Sequence, residues 1–227
     1  MRFAGSYSRL KNYESCPKRH YAYDLAPWDD RIRDTGPNDA LSEGIRIHDA
    51  LAKAVADGQL LPAEMQEYMV YVDLLKAGKG TIEVEKNYAF DKNFQACMYK
   101  SPNVFWRCKI DIVKSAGRVA VVWDWKSGKV KVEPDQLFLS AQAIFAHKPE
   151  VGLVEASFVW LNEPPDDAFT TVLYFRKDMA KGWAELMPRI NKMIKAYETE
   201  DFPAKPGGLC KSYCGVTSCI YHGKGSR

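Results

Sequence analysis

The feature that most narrows the fold is a pair of strand-like runs, 104–114 and 118–125, separated by little more than Ser115-Ala116-Gly117. So short a connection, with a glycine in it, predicts an antiparallel hairpin. One run carries Asp111, and the other ends in Asp124-Trp125-Lys126. Closing the hairpin therefore brings two carboxylates toward one point at a sheet edge. Lys126 stands two residues beyond Asp124, so on an extended chain it projects to the same side. Two carboxylates so placed suit a divalent cation, which polarises a phosphate and lowers the pKa of a bound water. The lysine suits orienting that water or neutralising charge that builds on the phosphate. An Asp-x-Lys triplet by itself more often marks a solvated strand end, so its meaning depends on context.

Elsewhere, apolar periodicity predicts helices over 6–23, 41–56, 62–77, 135–147 and 179–199, with strands over 81–90, 154–161 and 170–175. Residues 24–40, which include Pro27, Gly36 and Pro37, read as a loop. The order of elements implies an α/β fold, a central mixed sheet flanked by helices. The 227 residues suffice for one substantial core. The expected organisation is a single domain over 1–227: a mainly helical part at 1–80, a sheet core at 81–175, and a helix with a cysteine cluster at 176–227.

No run approaches the roughly 20 apolar residues of a membrane span, and the start lacks the apolar core of a secretory signal. A cytoplasmic location and no membrane partner are the expectations. A net charge of +3, from 32 basic and 29 acidic residues, neither marks nor excludes a nucleic-acid partner. Gly78-Lys79-Gly80 is no phosphate-binding loop: no Ser or Thr directly follows the lysine, and no glycine sits five residues earlier. That argues against an ATP-driven motor.

Of six cysteines, Cys210, Cys214 and Cys219 crowd together near one end and Cys16 stands near the other. In a cytoplasmic chain such crowding predicts metal or cluster binding before disulfides. Four thiolates can hold a [4Fe–4S] cluster. His222 nearby keeps a Cys₃His zinc site as the alternative. Cys97 and Cys108 read as ordinary buried or loop thiols.

Five segments then follow one another along the chain. They are Ser6-x-Ser8-x-Leu10-x-x-Tyr13-x-x-Cys16-Pro17 with Tyr21 and Tyr23; Gly44-x-x-x-His48; Lys109-Ile110-Asp111; Val121 to Gly128; and Gln136-Leu137-x-Leu139. In that order, and with the late cysteines, they resemble the RecB-like branch of the PD-(D/E)XK nucleases. The resemblance implies a restriction-endonuclease-like core with an N-terminal helical region and a C-terminal cysteine cluster. It implies His48, Asp111, Asp124 and the backbone carbonyl of Trp125 as ligands of Mg²⁺ or Mn²⁺. It also implies Lys126 as the catalytic lysine and Gln136 beside the active site. A histidine among carboxylates suits Mn²⁺ as well as Mg²⁺.

The implied activity is hydrolysis of DNA phosphodiester bonds. The expected enzyme is a stand-alone exonuclease or end-processing enzyme in recombination, repair or phage DNA metabolism. Its partner would be single-stranded DNA or duplex ends, with recombination or replication proteins as further candidates. One early Cys-Pro with three late cysteines is similar to the iron–sulfur AddB-type and small CRISPR-associated nucleases. That similarity implies Cys16, Cys210, Cys214 and Cys219 around a [4Fe–4S] cluster. The late cysteines here are separated by three and then four residues, where those relatives usually have two and then five. Cys108 and Trp125 replace the usual glycine and tyrosine, and Ser140 stands where a tyrosine usually follows the glutamine motif.

Lys18, Arg19, Lys129 and Lys131 are the expected phosphate contacts. Glu83 and Glu85 lie on a neighbouring strand, where Glu85 reads as a solvated strand face before a residue that supports the site; the early tyrosines with Trp28 read as core before base-stacking groups. Two other classes compete: a non-catalytic nucleic-acid-binding or assembly module that keeps the fold, and a structural zinc protein.

Overall fold

Pro17 sets the first departure from the predicted elements. A computed structural model describes residues 1–32 and 39–224 of the chain. Residues 1–37 and 185–227 form one compact unit, and residues 38–184 a second. The first unit opens with β1 (Gly5–Ser6) and α1 (Tyr7–Ser15), whose first turn is capped by Ser6 Oγ accepting the Arg9 N–H at 3.3 Å. The helix predicted over 6–23 breaks at Cys16, which is extended at φ −164° and ψ 116°. The ring of Pro17 disfavours a helical residue before it, while its fixed φ suits the first position of a new helix. That new helix is α2 (Pro17–His20), followed by a π-turn at Tyr21–Leu25. Of the loop predicted over 24–40, residues 33–38 lie outside the described residues.

The second unit begins with α3 (Asp39–Asp57), which buries Ile47, Leu51, Ala54 and Val55. The helix predicted over 62–77 is a 3₁₀ turn at Ala63–Tyr68 that passes into α4 (Met69–Lys76). Met65, Tyr68, Tyr71, Val72 and Leu75 are buried along both pieces. Spacings of three and four fit either helix type, so the pattern could not separate them.

Five strands build the sheet of this unit in the order β2 (Thr81–Asp91), β3 (Val104–Ala116), β4 (Val119–Lys126), β5 (Leu153–Trp160) and β6 (Phe169–Phe175). Only β4 and β5 pair in parallel. Parallel neighbours need a crossover, and α5 (Pro134–His147) supplies it. The result is a mixed sheet with helices, the α/β core of the expectation. The hairpin turn falls at Gly117-Arg118, between the paired Ala116 and Val119, one step later than predicted. Gly117 has φ 57°, a left-handed value that glycine takes without strain. Ile112, Trp123, Trp125 and Val159 from the sheet share a core with Leu51, Tyr71 and Leu75.

α6 (Met179–Thr199) starts in the second unit, where a Cβ on Gly182 would stand 2.2 Å from the Phe138 ring. The first unit resumes with the rest of α6 and closes with α7 (Leu209–Ser212). Its buried His20 bonds Asp24 at 2.8 Å and the Tyr197 hydroxyl at 2.9 Å. Among the described residues, no helix is long and apolar enough to cross a membrane.

Candidate active site

The ladder between β3 and β4 ends at the pair Ile112 and Trp123. The next residue on each strand is an aspartate, Asp111 on β3 and Asp124 on β4. From there β4 keeps its pairing with β5, Asp124 opposite Phe158 and Lys126 opposite Trp160. Where β3 and β4 stop pairing, a cleft of about 700 Å³ opens, lined by both aspartates. The Trp125 N–H donates to Asp111 Oδ2 at 2.9 Å in place of a ladder bond. The Trp125 indole is buried and packs edge-on against Trp123 at 5.6 Å. What Trp125 gives the site is therefore main chain.

Helix α3 forms one wall. Gly44, His48 and Ala52, spaced by one helical turn, line the cleft, while Ile47, Leu51 and Val55 face the core. His48 Nδ1 lies 3.4 Å from Asp111 Oδ2. A Cβ on Gly44 would lie 3.2 Å from Ser127 Oγ, so glycine lets the helix come close to the end of β4. Glu85 arrives from β2. Its neighbours Val84 and Lys86 pair with Ile112 and Ile110, which sets Glu85 opposite Asp111. Its φ is 51°, a strained left-handed value for a side-chain-bearing residue inside a strand. Ligand atoms of His48, Glu85 and Asp111 all lie within 4.8 Å of one another.

Asp124, Lys126 and Gln136 make the other half. Gln136, on the first turn of α5, donates from Nε2 to Asp124 Oδ1 at 2.6 Å. Its Oε1 accepts from Lys126 Nζ at 3.1 Å, and Lys126 Nζ stands 2.5 Å from Asp124 Oδ2. The three side chains close a ring. Burial first, and the charge of Asp111 second, push the Asp124 carboxyl up to about 6, against the pull of Lys126 and His48. For His48, burial works to lower the pKa, but the hydrogen bond to Asp111 and the charges of Asp111, Asp124 and Glu85 outweigh it. The net shift is upward.

The other expected residues fall elsewhere. Lys129 and Lys131 are exposed in the loop after β4, and Lys131 pairs with Glu133 at 2.8 Å. Lys18 and Arg19 belong to the first unit. Glu85 takes the second of its two readings, beside the site and not on a solvated strand face: its side chain is 27% exposed and lines the cleft. Lys109, which the sequence reading gives no role beyond its place in the Lys109-Ile110-Asp111 segment, also lines the cleft. The β2–β3 register sets Glu85 opposite Asp111 and gives Lys109 its ion-pair partner.

In the first unit, Cys16, Cys210, Cys214 and Cys219 all line one cavity of about 160 Å³, together with Lys18 and Arg19. All six cysteines are free thiols. The Lys205 N–H points at Cys16 Sγ at 3.2 Å and the Gly207 N–H at Cys210 Sγ at 3.5 Å. The break at Pro17 is what places Cys16 here, at the extended joint between two helices. His222 is exposed, and its Nδ1 lies 3.0 Å from the Cys214 carbonyl.

Among solved structures, the fold is similar to that of a presumed exonuclease from Eubacterium rectale, with a TM-score of 0.54 at 10% identity over 98% of this chain and 88% of that one. No curated protein sequence matches. The sequence profile of the PD-(D/E)XK nuclease superfamily matches residues 4–219. The match covers nearly the whole chain, including the hairpin that holds Asp111, Asp124 and Lys126. The chain belongs to the PD-(D/E)XK nuclease superfamily.

Proposed function

We propose that this nuclease is a divalent-metal-dependent deoxyribonuclease of the RecB-like branch that degrades DNA from its ends. The observation that carries the reading is the convergence of His48, Glu85 and Asp111 beside the Asp124–Lys126–Gln136 ring in an open cleft. Carboxylate oxygens with one imidazole suit Mg²⁺ and Mn²⁺. The fit has an electrostatic side: burial first and the charge of Asp111 second raise the Asp124 pKa, and bound positive charge would offset both.

His48, Glu85, Asp111 and Asp124 would hold the cation, with the Trp125 carbonyl as the main-chain ligand. When bound, it supplies Lewis acidity and a more acidic water. Lys126 would orient the attacking water and stabilise charge on the phosphate. Gln136 fixes Lys126 and Asp124 relative to each other, and Lys129, Lys131, Lys18 and Arg19 offer charge to backbone phosphates. The likeness to a presumed exonuclease favours action at ends, single-stranded or duplex, as in recombination, repair or phage DNA metabolism.

The cysteine cavity is read as the seat of a [4Fe–4S] cluster. Four thiols around one void, backbone N–H groups aimed at two sulfurs, and flanking cations all suit a bulky, negatively charged group. A Cys₃His zinc site is the weaker fit, because His222 does not line the cavity.

The test is digestion of end-labelled single- and double-stranded DNA, and of a circular single strand, with Mn²⁺, Mg²⁺ or a chelator. Release of short products from linear DNA with either metal, and none with chelator, is the expected result. Protein that binds Mn²⁺ but cuts none of these substrates would overturn the reading in favour of a binding module.

A further inference from the structure

Lys109 lines the mouth of the cleft, yet the hydrolytic set has no use for it. It precedes Asp111 by two residues on β3, so both point to the same face of the sheet. Its ammonium is ion-paired with Glu85 across the β2–β3 ladder, a diagonal pair next to Asp111. The Lys109 side chain is 61% exposed and that of Glu85 27%.

Glu85 therefore has two claims on one carboxylate. It belongs to the group that converges within 4.8 Å for a cation, and it is the counterion of Lys109. Both claims cannot be met fully, since a divalent cation and an ammonium on one carboxylate repel each other at close range. The strained backbone of Glu85 marks the same residue independently, as strain collects at switch positions. Lysine suits a moving contact: a compact charge on a flexible four-carbon stem, here reaching from an exposed strand position.

We infer that Lys109 is a metal-released phosphate clamp. It holds Glu85 in the metal-free protein and turns to a backbone phosphate of the DNA strand once a cation occupies the His48–Glu85–Asp111 group. The inference rests on the metal-dependent nuclease reading above. It makes metal binding and DNA grip mutually reinforcing, since coupling between two ligands is reciprocal.

The test uses the full chain carrying Lys126→Ala, so that DNA survives, and measures binding of a labelled single-stranded oligonucleotide with Mn²⁺ or with chelator. Adding Lys109→Met should weaken binding about fivefold with Mn²⁺, the size of one ionic contact, and hardly at all with chelator. The salt slope of binding should fall by about 0.7 with Mn²⁺ only. Glu85→Gln should tighten binding in chelator, and Lys109→Met should cancel that gain. Equal losses with and without Mn²⁺, or no loss in either, would overturn the clamp. Mn²⁺ binding is followed on the same preparations by electron paramagnetic resonance. If the protein binds no Mn²⁺, the nuclease reading falls and the clamp with it. If it binds Mn²⁺ and the unmodified chain cuts DNA, a failed coupling sinks the clamp alone.

Discussion

The main-chain N–H of Trp125 donates to Asp111 Oδ2 at 2.9 Å, tying the residue between Asp124 and Lys126 to the carboxylate on the neighbouring strand. The tie does not involve the indole. Trp125→Phe should therefore lower stability by on the order of 1–2 kcal/mol through lost core packing. Turnover per folded molecule should stay within a few-fold of the parent. Denaturant melts and active-site-normalised rates on one preparation check both halves.

Lys126 and Gln136 should separate by role. Lys126→Ala should cut turnover by about 10³-fold while DNA affinity with Mn²⁺ holds, because the ammonium acts in the transition state. Gln136→Ala leaves both partners present but loose, and should cost about 10- to 100-fold. Single-turnover rates under saturating protein read the two effects. Equal losses would mean that Gln136 does more than hold its neighbours.

Asp124 gives the metal-free protein a pH signature. Its folded pKa of about 6 lies above the unfolded carboxylate value near ~3.9, so the folded state binds the proton more tightly. Its contribution to stability is thus present at low pH and lost as pH rises from about 4 to 6. His48 is also raised, so its contribution is present below its unfolded value and lost as pH climbs through the folded one. Other carboxylates, Asp24 among them, slope the opposite way. The check is therefore a difference: calorimetric melts of the parent and Asp124→Asn proteins without metal, from pH 4 to 8. The variant should gain stability relative to the parent as pH rises. With Mn²⁺ the parent should bind more tightly at higher pH and release protons on binding near pH 6.

Cys16 and Cys219 stand near opposite ends of the sequence, so a cluster held by both closes nearly the whole chain into a loop. Such a clip is worth roughly 3–5 kcal/mol by analogy with a long-range disulfide. Anaerobically purified protein should carry about four irons per chain. Cys16→Ser or Cys214→Ser should lower the melting temperature and yield, losing activity only as folding fails. A variant without iron that melts like the parent would remove the stapling role.

Gly182 reverses the usual helix preference. Glycine inside a helix ordinarily costs about 0.5–1 kcal/mol relative to alanine. Here an alanine Cβ would stand 2.2 Å from the Phe138 ring, too close for ordinary contact. Gly182→Ala should lower stability by about 1–3 kcal/mol, as overpacking does. Trimming the ring in Phe138→Leu should recover part of that loss, which a double-mutant cycle measures.

The hairpin was legible because everything it needs is local: two apolar runs, one glycine and a two-residue spacing from Asp124 to Lys126. The break at Cys16 was equally local, since Pro17 alone dictates it, yet a helical run of apolar residues across it hid the joint. Glu85 was legible only as the lesser of two readings. Its place depends on the register of β2 against β3 and on one left-handed residue, neither of which leaves a mark in composition or period. Lys109 escaped for the same reason, as its partner is Glu85.

The register of β4 bears on the order in which the site matures. Asp111 and Asp124 are joined by a hairpin with a two-residue turn, the kind of local contact that closes in roughly 1–10 μs. Asp124, Trp125 and Lys126 lie past the end of the β3–β4 ladder and gain a strand partner from β5, across the α5 crossover, through a parallel pairing that is slow to search out. A refolding chain should therefore gather its acidic ligands before it can hold Lys126 steady. Affinity for the cation should return ahead of turnover, and cutting power should be the last property a newly made molecule acquires.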